Sequence, residues 1–322
     1  MALTNAAPRL VKLIGRPVNH SWSPVMQQAA FDAAGISARY ELWDTPLSEL
    51  RARVETLRDP DYLGANVTIP HKMAVIPYLD ALASSARRLT GAVNTIVREE
   101  IAHGVRLVGH NTDVTAILRV LDEQEVWQPG MRMLVLGAGG AARAALGAAV
   151  ARGARPWIAA RKKSAARVAL EALYGRQDEM IASPAPPEAS GSFPLAPPHM
   201  RDIKRQTLAL DDMEALGGAL EETGLLINAT PIGTRDPVAT PLPIELLRHL
   251  PRTAFVMDMV YNPPETALVR AAHAAGLRAV GGFSMLLYQG AESFMLWTGA
   301  EAPLAAMRAA LEAAMREVDS RP

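Results

Sequence analysis

The chain predicts an α/β protein of two domains, the second a doubly wound parallel sheet. Three observations carry this expectation. Strand-like and helix-like runs alternate almost throughout. The 322 residues are 49% hydrophobic, enough for two cores at roughly 150 residues per domain. An apolar run, Met131–Leu136, also flows straight into a glycine-rich turn and an alanine-rich helical stretch.

In chain order, the first block offers strands at Leu10–Ile14, Ala38–Trp43 and Leu63–Thr68. Helices are expected from near Pro24 and Ser48 and again after Pro70, because proline suits a first helical turn. Strands Ala92–Arg98 and Val105–Gly109 then lead to a helix opening near Asp113. A turn at Trp127–Gly130 introduces the second block, with strands Met131–Leu136, Pro156–Ala160, Gln206–Leu210, Leu225–Ala229 and Ala254–Asp258. Helical material between them gives the repeated βα winding of a doubly wound sheet. Ser183–Met200 holds six prolines and almost no charge, so it reads as a solvated insertion that neither helix nor sheet can absorb.

Composition removes several classes of function. Basic and acidic side chains balance at 33 each, without the basic excess that nucleic-acid binding needs. Aromatic residues are only 5%, too sparse for base-stacking platforms. Without cysteine there are no disulfides, thiolate metal sites or thiol nucleophiles. No run approaches the roughly 18–20 apolar residues of a membrane span, and the first dozen residues lack the order of a secretory signal. A cytoplasmic protein with a small-molecule substrate and no membrane or nucleic-acid partner is expected. The histidines lack metal-ligand spacing, so no metal is expected.

Gly137-x-Gly139-x-x-Ala142 is a dinucleotide fingerprint with alanine in its third slot. In the run Gly137, Ala138, Gly139, Gly140, Ala141 the first glycine permits a tight turn and the next lets backbone approach a pyrophosphate. The following helix then presents its N–H groups and positive end to the anion. A cofactor with plain ribose calls for Asp or Glu at the end of the next strand. Here the chain reads Ala160-Arg161-Lys162-Lys163, three cations and no acid. Arg161 and Lys162 suit a 2′-phosphate, which favours NADP over NAD.

Four further segments carry short polar side chains with a charged partner at strand ends, where ligands collect in α/β folds. They are Ile14 through Pro24 (IGRPVNHSWSP), Gly64 through Lys72 (GANVTIPHK), Gly91 through Thr95 (GAVNT) and Gly109 through Asp113 (GHNTD). Such side chains fit a small polyhydroxylated acid. With Asn228 through Gly233 (NATPIG), Asp258 through Pro263 (DMVYNP) and Gly282 through Ala291, they make the chain resemble the shikimate dehydrogenase family over nearly its whole length. Departures are Val114-Thr115-Ala116, where the family usually has glycines, and Ala160, where it often has Asn.

The resemblance implies NADPH-dependent reversible reduction of 3-dehydroshikimate to shikimate, a step towards aromatic amino acids. It implies that Ser21 and Ser23 bind the substrate carboxylate and that Thr68, Asn94, Tyr261 and Gln289 line the ring. Lys72 and Asp113 would be the catalytic pair, while Thr230, Met259 and Gly282 would join the fingerprint in holding the cofactor. It implies a substrate-binding and catalytic domain over 1–113, completed by C-terminal helices 285–322 that pack back on it. Residues 114–284 would form the Rossmann domain, carrying the 183–200 insertion. The protein would act as a monomer or homodimer.

The chemistry of ketone reduction favours the same pair. Hydride goes to carbon and a proton to oxygen, and the forming alkoxide needs a positive neighbour. Lysine supplies charge and a transferable proton, whereas arginine holds its proton too tightly. Only Lys12, Lys72, Lys162, Lys163 and Lys204 are lysines in this arginine-rich chain, so position 72 stands out. Quinate or aminoshikimate-type oxidation within the same family is the alternative. A non-catalytic ligand sensor on this fold would be expected to lack Lys72 or Asp113, and both are present.

Overall fold

The computed structural model describes residues 7–128, 130–182 and 202–319. The expected insertion Ser183–Met200 lies outside the described residues. The strands are β1 (Arg9–Gly15), β2 (Ala38–Asp44), β3 (Tyr62–Val67), β4 (Ala81–Leu82), β5 (Thr95–Ile101), β6 (Gly104–His110), β7 (Arg132–Leu136), β8 (Arg155–Ala160), β9 (Thr207–Ala209), β10 (Thr223–Asn228), β11 (Phe255–Asp258) and β12 (Arg278–Val280). The helices are α1 (Ser23–Ala33), α2 (Leu50–Thr56), α3 (Asp113–Glu123), α4 (Gly140–Ala151), α5 (Lys163–Ala182), α6 (Ile203–Gln206), α7 (Met213–Glu221), α8 (Ala267–Ala274), α9 (Phe283–Thr298) and α10 (Leu304–Asp319). The chain divides into two compact units. One comprises residues up to Ala86, Ala92–Thr112 and those from Leu287 onward; the other comprises Arg87–Gly91 and Asp113–Leu286.

The sheet of the first unit runs β2-β1-β3-β5-β6-β4. β1 pairs in parallel with β2 and β3, while β5 is antiparallel to β3 and β6. Successive side chains of a strand point to opposite faces, so each strand feeds two cores. On one face Ile14, Val67 and Ile96 pack with Leu50, Val54 and Leu57 from and just after α2. On the other, α10 lies on α1, and Phe31 meets Phe294 of α9 at a ring separation of 5.4 Å. Trp297 Nε1 donates to Ile96 O at 3.0 Å, fastening α9 to β5. From Leu287 onward, the rest of α9 and α10 belong to the first unit.

The second sheet is wholly parallel, in the order β12-β11-β10-β7-β8-β9. Its first strand, β7, lies inside; the chain winds outward through β8 and β9, then returns to β10 on the other side. That is the doubly wound order, and its switch point lies between β7 and β10. Leu134, Leu136, Leu226 and Val256 pack against Leu216 and Leu220 of α7 and Leu268 and Ala272 of α8. The departing residues Val114 and Ala116 are buried on α3, which packs on α4, while Thr115 is exposed.

Two expectations need correcting. No α-helix follows Pro70; the chain makes turns and a single 3-10 turn at Ile76–Tyr78. A helix begun after Pro70 would carry Pro77 into its interior, where the ring clashes with the preceding turn. The strand expected from Ala92 begins at Thr95 instead, because Val93 N–H leaves the ladder to donate to Lys72 O at 2.7 Å. Among the described residues, no helix is long and apolar enough to cross a membrane.

Candidate functional site

In the first unit, the chain leaves β1 through a turn in which Ser21 N–H donates to Val18 O at 3.0 Å. Ser23 opens α1, and its N–H donates to Ser21 Oγ at 3.2 Å. Pro24 fills the first turn, and no side chain caps the helix. Both serines therefore stand at the positive end of an eleven-residue helix, where an anion is stabilised.

Backbone bonds carry Thr68, Lys72 and Asn94 to one end of the same sheet. Thr68 N–H donates to Ile14 O, and His71 N–H to Thr68 O, both at 2.8 Å. Val67 N–H donates to Asn94 O at 2.8 Å, and Val93 N–H reaches Lys72 O. His71 is buried, with Nε2 2.6 Å from Thr45 O, which anchors the turn that carries Lys72.

Asn94 is only 2% exposed, and its amide is engaged with Thr112. Its Nδ2 donates to Thr112 Oγ1 at 2.9 Å, and its Oδ1 accepts from Thr112 N–H at 2.8 Å. Asn94 therefore fixes the residue immediately before Asp113. Asp113 is 3% exposed and begins α3, so it belongs to the second unit whereas Lys72 belongs to the first.

Beneath these residues lies a buried polar network that sequence reasoning missed. Ser293 Oγ lies 2.8 Å from Thr95 Oγ1, accepts from Asn66 Nδ2 at 3.1 Å and donates to Gln289 O at 2.9 Å. Gln27 Nε2, fully buried, donates to Gly290 O at 2.9 Å. Together these bonds fix the α9 turn that bears Gln289. The available signal was spacing, since Gln289 and Ser293 share a helix face four residues apart. Burial pushes the neighbouring His110 imidazole below its ordinary pKa, keeping it neutral near pH 7.

In the second unit, the fingerprint sits at the switch point. Gly137 has φ +111°, and its N–H donates to Ala159 O at 2.8 Å. A Cβ there would lie 3.1 Å from Ala229 O and 3.2 Å from Thr230 Cγ2, so only glycine lets β7 and β10 end this close together. Gly139 is the N-cap of α4, with open space around it and no side chain capping the helix start. Ala138, Gly140 and Ala141 are half-buried along the same turn. Arg161 and Lys162 are exposed directly beyond β8. Thr230 and Met259 follow β10 and β11, Met259 N–H donating to Asn228 O at 3.0 Å. Gly282 follows β12, its N–H donating to Val260 O at 3.0 Å. Tyr261, half-buried, follows on the same β11 loop. The predicted cofactor residues thus gather at the carboxyl edge of one sheet, where α/β sheets bind nucleotides.

Sequence reasoning placed Asp258, the last residue of β11, in a family-like segment but gave it no role. It is 1% exposed, and burial pushes its carboxyl up to about 6, against hydrogen bonds from Thr266, Val260 N–H and Asn228 that pull it down. Among the described residues, no group of three or more His, Cys, Asp or Glu side chains is placed to hold a metal.

A doubly wound unit with a dinucleotide fingerprint at its switch point, joined in one chain to a second α/β unit, defines a dinucleotide-dependent class of α/β protein. Residues 13–96 match the shikimate dehydrogenase substrate-binding domain, and residues 282–312 match the shikimate 5′-dehydrogenase C-terminal domain. A shikimate dehydrogenase (NADP+) of Symbiobacterium thermophilum is 40% identical over 95% of both chains. The Thermus thermophilus shikimate 5-dehydrogenase, solved with NADP(H) and shikimate, is 34% identical, with a TM-score of 0.74 over 95% of this chain and 99% of its own. A quinate dehydrogenase of Corynebacterium glutamicum, solved with NAD, is 26% identical, with a TM-score of 0.75 over 95% and 99%. The chain belongs to the shikimate dehydrogenase family.

Proposed function

We propose that this chain is an NADP-dependent shikimate dehydrogenase, an oxidoreductase that reversibly reduces 3-dehydroshikimate to shikimate in aromatic amino acid biosynthesis. The observation that carries the reading is similarity to a relative of that name over 95% of both chains. The residues fit the cofactor: a glycine cradle at the switch point, an uncapped α4 N-terminus, and an Arg161–Lys162 pair where NAD enzymes carry an acid. When bound, NADPH supplies the hydride. Gly137, Ala138, Gly139, Gly140 and Ala141 would hold its pyrophosphate, Arg161 and Lys162 its 2′-phosphate, and Thr230, Met259 and Gly282 its remaining length.

Ser21 and Ser23, at the positive end of α1, would take the substrate carboxylate. Thr68, Asn94, Tyr261 and Gln289 would orient the ring hydroxyls. Lys72 Nζ would face the forming alkoxide with its charge and give it a proton, and Asp113 would orient Lys72 and share that proton. The protein would work in the cytoplasm as a monomer or homodimer, with no nucleic-acid or membrane partner.

Quinate adds one ring hydroxyl near the carboxylate. Serine at both 21 and 23, with no acid beside Arg161, favours shikimate and NADP instead. Initial rates with shikimate and with quinate, each with NADP and with NAD, test the assignment. The highest kcat/KM is expected for shikimate with NADP; a maximum for quinate with NAD overturns both specificities at once.

A further inference from the structure

The loops after β10 and β11 are joined by one buried carboxylate whose hydrogen bonds reach the cofactor edge of the second unit. Asp258 Oδ1 accepts from Asn228 Nδ2 at 2.8 Å and from Val260 N–H at 3.0 Å. Its Oδ2 accepts from Thr266 Oγ1 at 2.7 Å. Asp258, Asn228 and Thr266 are each 1% exposed or less, so these bonds lie away from bulk solvent. Thr266 also caps α8, accepting from Val269 N–H at 3.3 Å.

An asparagine amide can sit in either of two flips, which exchange a donor for an acceptor. The Thr230 N–H can only donate, so it draws the amide oxygen to its own side, and the NH2 turned the other way donates to Asp258 Oδ1 and, at 3.4 Å, to Ile232 O. Asn228 Oδ1 faces Thr230, accepting from its N–H at 3.0 Å and from its Oγ1–H at 2.7 Å. The Thr230 hydroxyl oxygen in turn accepts from Ile232 N–H at 3.2 Å. This relay fixes the turn at the switch point, and Asp258 Oδ1 also holds the β11 loop through Val260 N–H.

We propose that Asp258 is a positioning residue: by anchoring the NH2 end of the Asn228 amide and the Val260 N–H, it holds the Thr230 turn and the Met259 loop in the geometry that receives the dinucleotide. The inference rests on the NADP reading above and deepens it. It separates the two oxygens of one carboxylate, Oδ1 serving the cofactor edge and Oδ2 serving the α8 cap. Protonation is tolerated, because a proton on Oδ2 can be donated to Thr266 Oγ1 while Oδ1 continues to accept. An amide at 258 is tolerated for the same reason, with its oxygen towards Asn228 and its NH2 towards Thr266.

The test compares Asp258→Ala, Asp258→Asn and Thr266→Val in the full chain, by direct NADP binding and by steady-state kinetics. Asp258→Ala is expected to weaken NADP binding by tenfold or more and raise its KM in step, with shikimate KM and saturated kcat within about threefold. Asp258→Asn is expected to restore NADP affinity to within twofold. Thr266→Val removes only the α8 side of the carboxylate's bonds. It is expected to lower the unfolding temperature while leaving NADP affinity within twofold. Where the alanine variant does not fold, Asp258→Ser, whose hydroxyl is too short to reach Asn228 Nδ2, carries the same expectation. Unchanged NADP affinity in Asp258→Ala or Asp258→Ser, or an equal loss in Thr266→Val, overturns the proposal and leaves Asp258 a stabilising residue only. A wild-type chain that binds NADP without oxidising shikimate defeats the functional reading alone, and the binding measurements still decide on Asp258.

Discussion

Reducing a ketone puts a proton on its oxygen, and a lysine ammonium can supply both that proton and a positive charge beside the forming alkoxide. Lys72 stood out because the chain uses arginine almost everywhere else, and a transferable proton is the one thing arginine cannot supply. On the proposed roles, Lys72→Ala is expected to lower kcat by roughly 10²–10⁴-fold, the range of a positioned general acid, with shikimate affinity little changed. Single-turnover rates and equilibrium binding check this, and near-normal turnover removes Lys72 from the chemistry.

Asp258 carries no such mark, because nothing local says that its carboxyl is buried. Its raised folded-state pKa, about 6 against 3.8, sets the sign of a stability effect. The favourable contribution is complete below about pH 4 and is lost as pH rises through about 6. A carboxyl raised by about two pH units costs on the order of 3 kcal/mol at neutral pH. The unfolding free energy of wild type minus that of Asp258→Asn should therefore fall between pH 4 and 6 and level off above. A difference that stays flat across that window contradicts the burial argument.

Among the secondary-structure elements, periodicity located most strands and helices but misread segments where a neighbour overrides local preference. The stretch after Pro70 looked helical until Pro77 is placed in its interior. Ala92–Asn94 looked like strand, yet its backbone holds the Lys72 turn and meets β3 and β6 at their ends. The three-residue β12 and two-residue β4 were too short to leave a pattern. Gly282 shows how closely such elements meet. A Cβ there would lie 2.4 Å from Met259 O, a backbone atom that cannot swing aside. Gly282→Ala should cost about 1–3 kcal/mol through overpacking, read as a lowered urea midpoint. An unaltered midpoint would show that β12 and the Met259 loop are not in close contact.

For the molecule as a whole, the amino-acid order alone was enough to establish a doubly wound sheet, the dinucleotide fingerprint, the NADP-leaning cations and the family. Those properties are written in contiguous residues, because strand, glycine turn and helix follow one another along the chain. The order β12-β11-β10-β7-β8-β9, the antiparallel β5 and the return of α9 and α10 onto the first unit arose from packing between residues far apart. So did the burial of Asn66, Thr95, Ser293 and Asp258. Whether a polar side chain is solvated or locked inside depends on which distant elements cover it. That is a question of long-range burial, and no short window of sequence contains it.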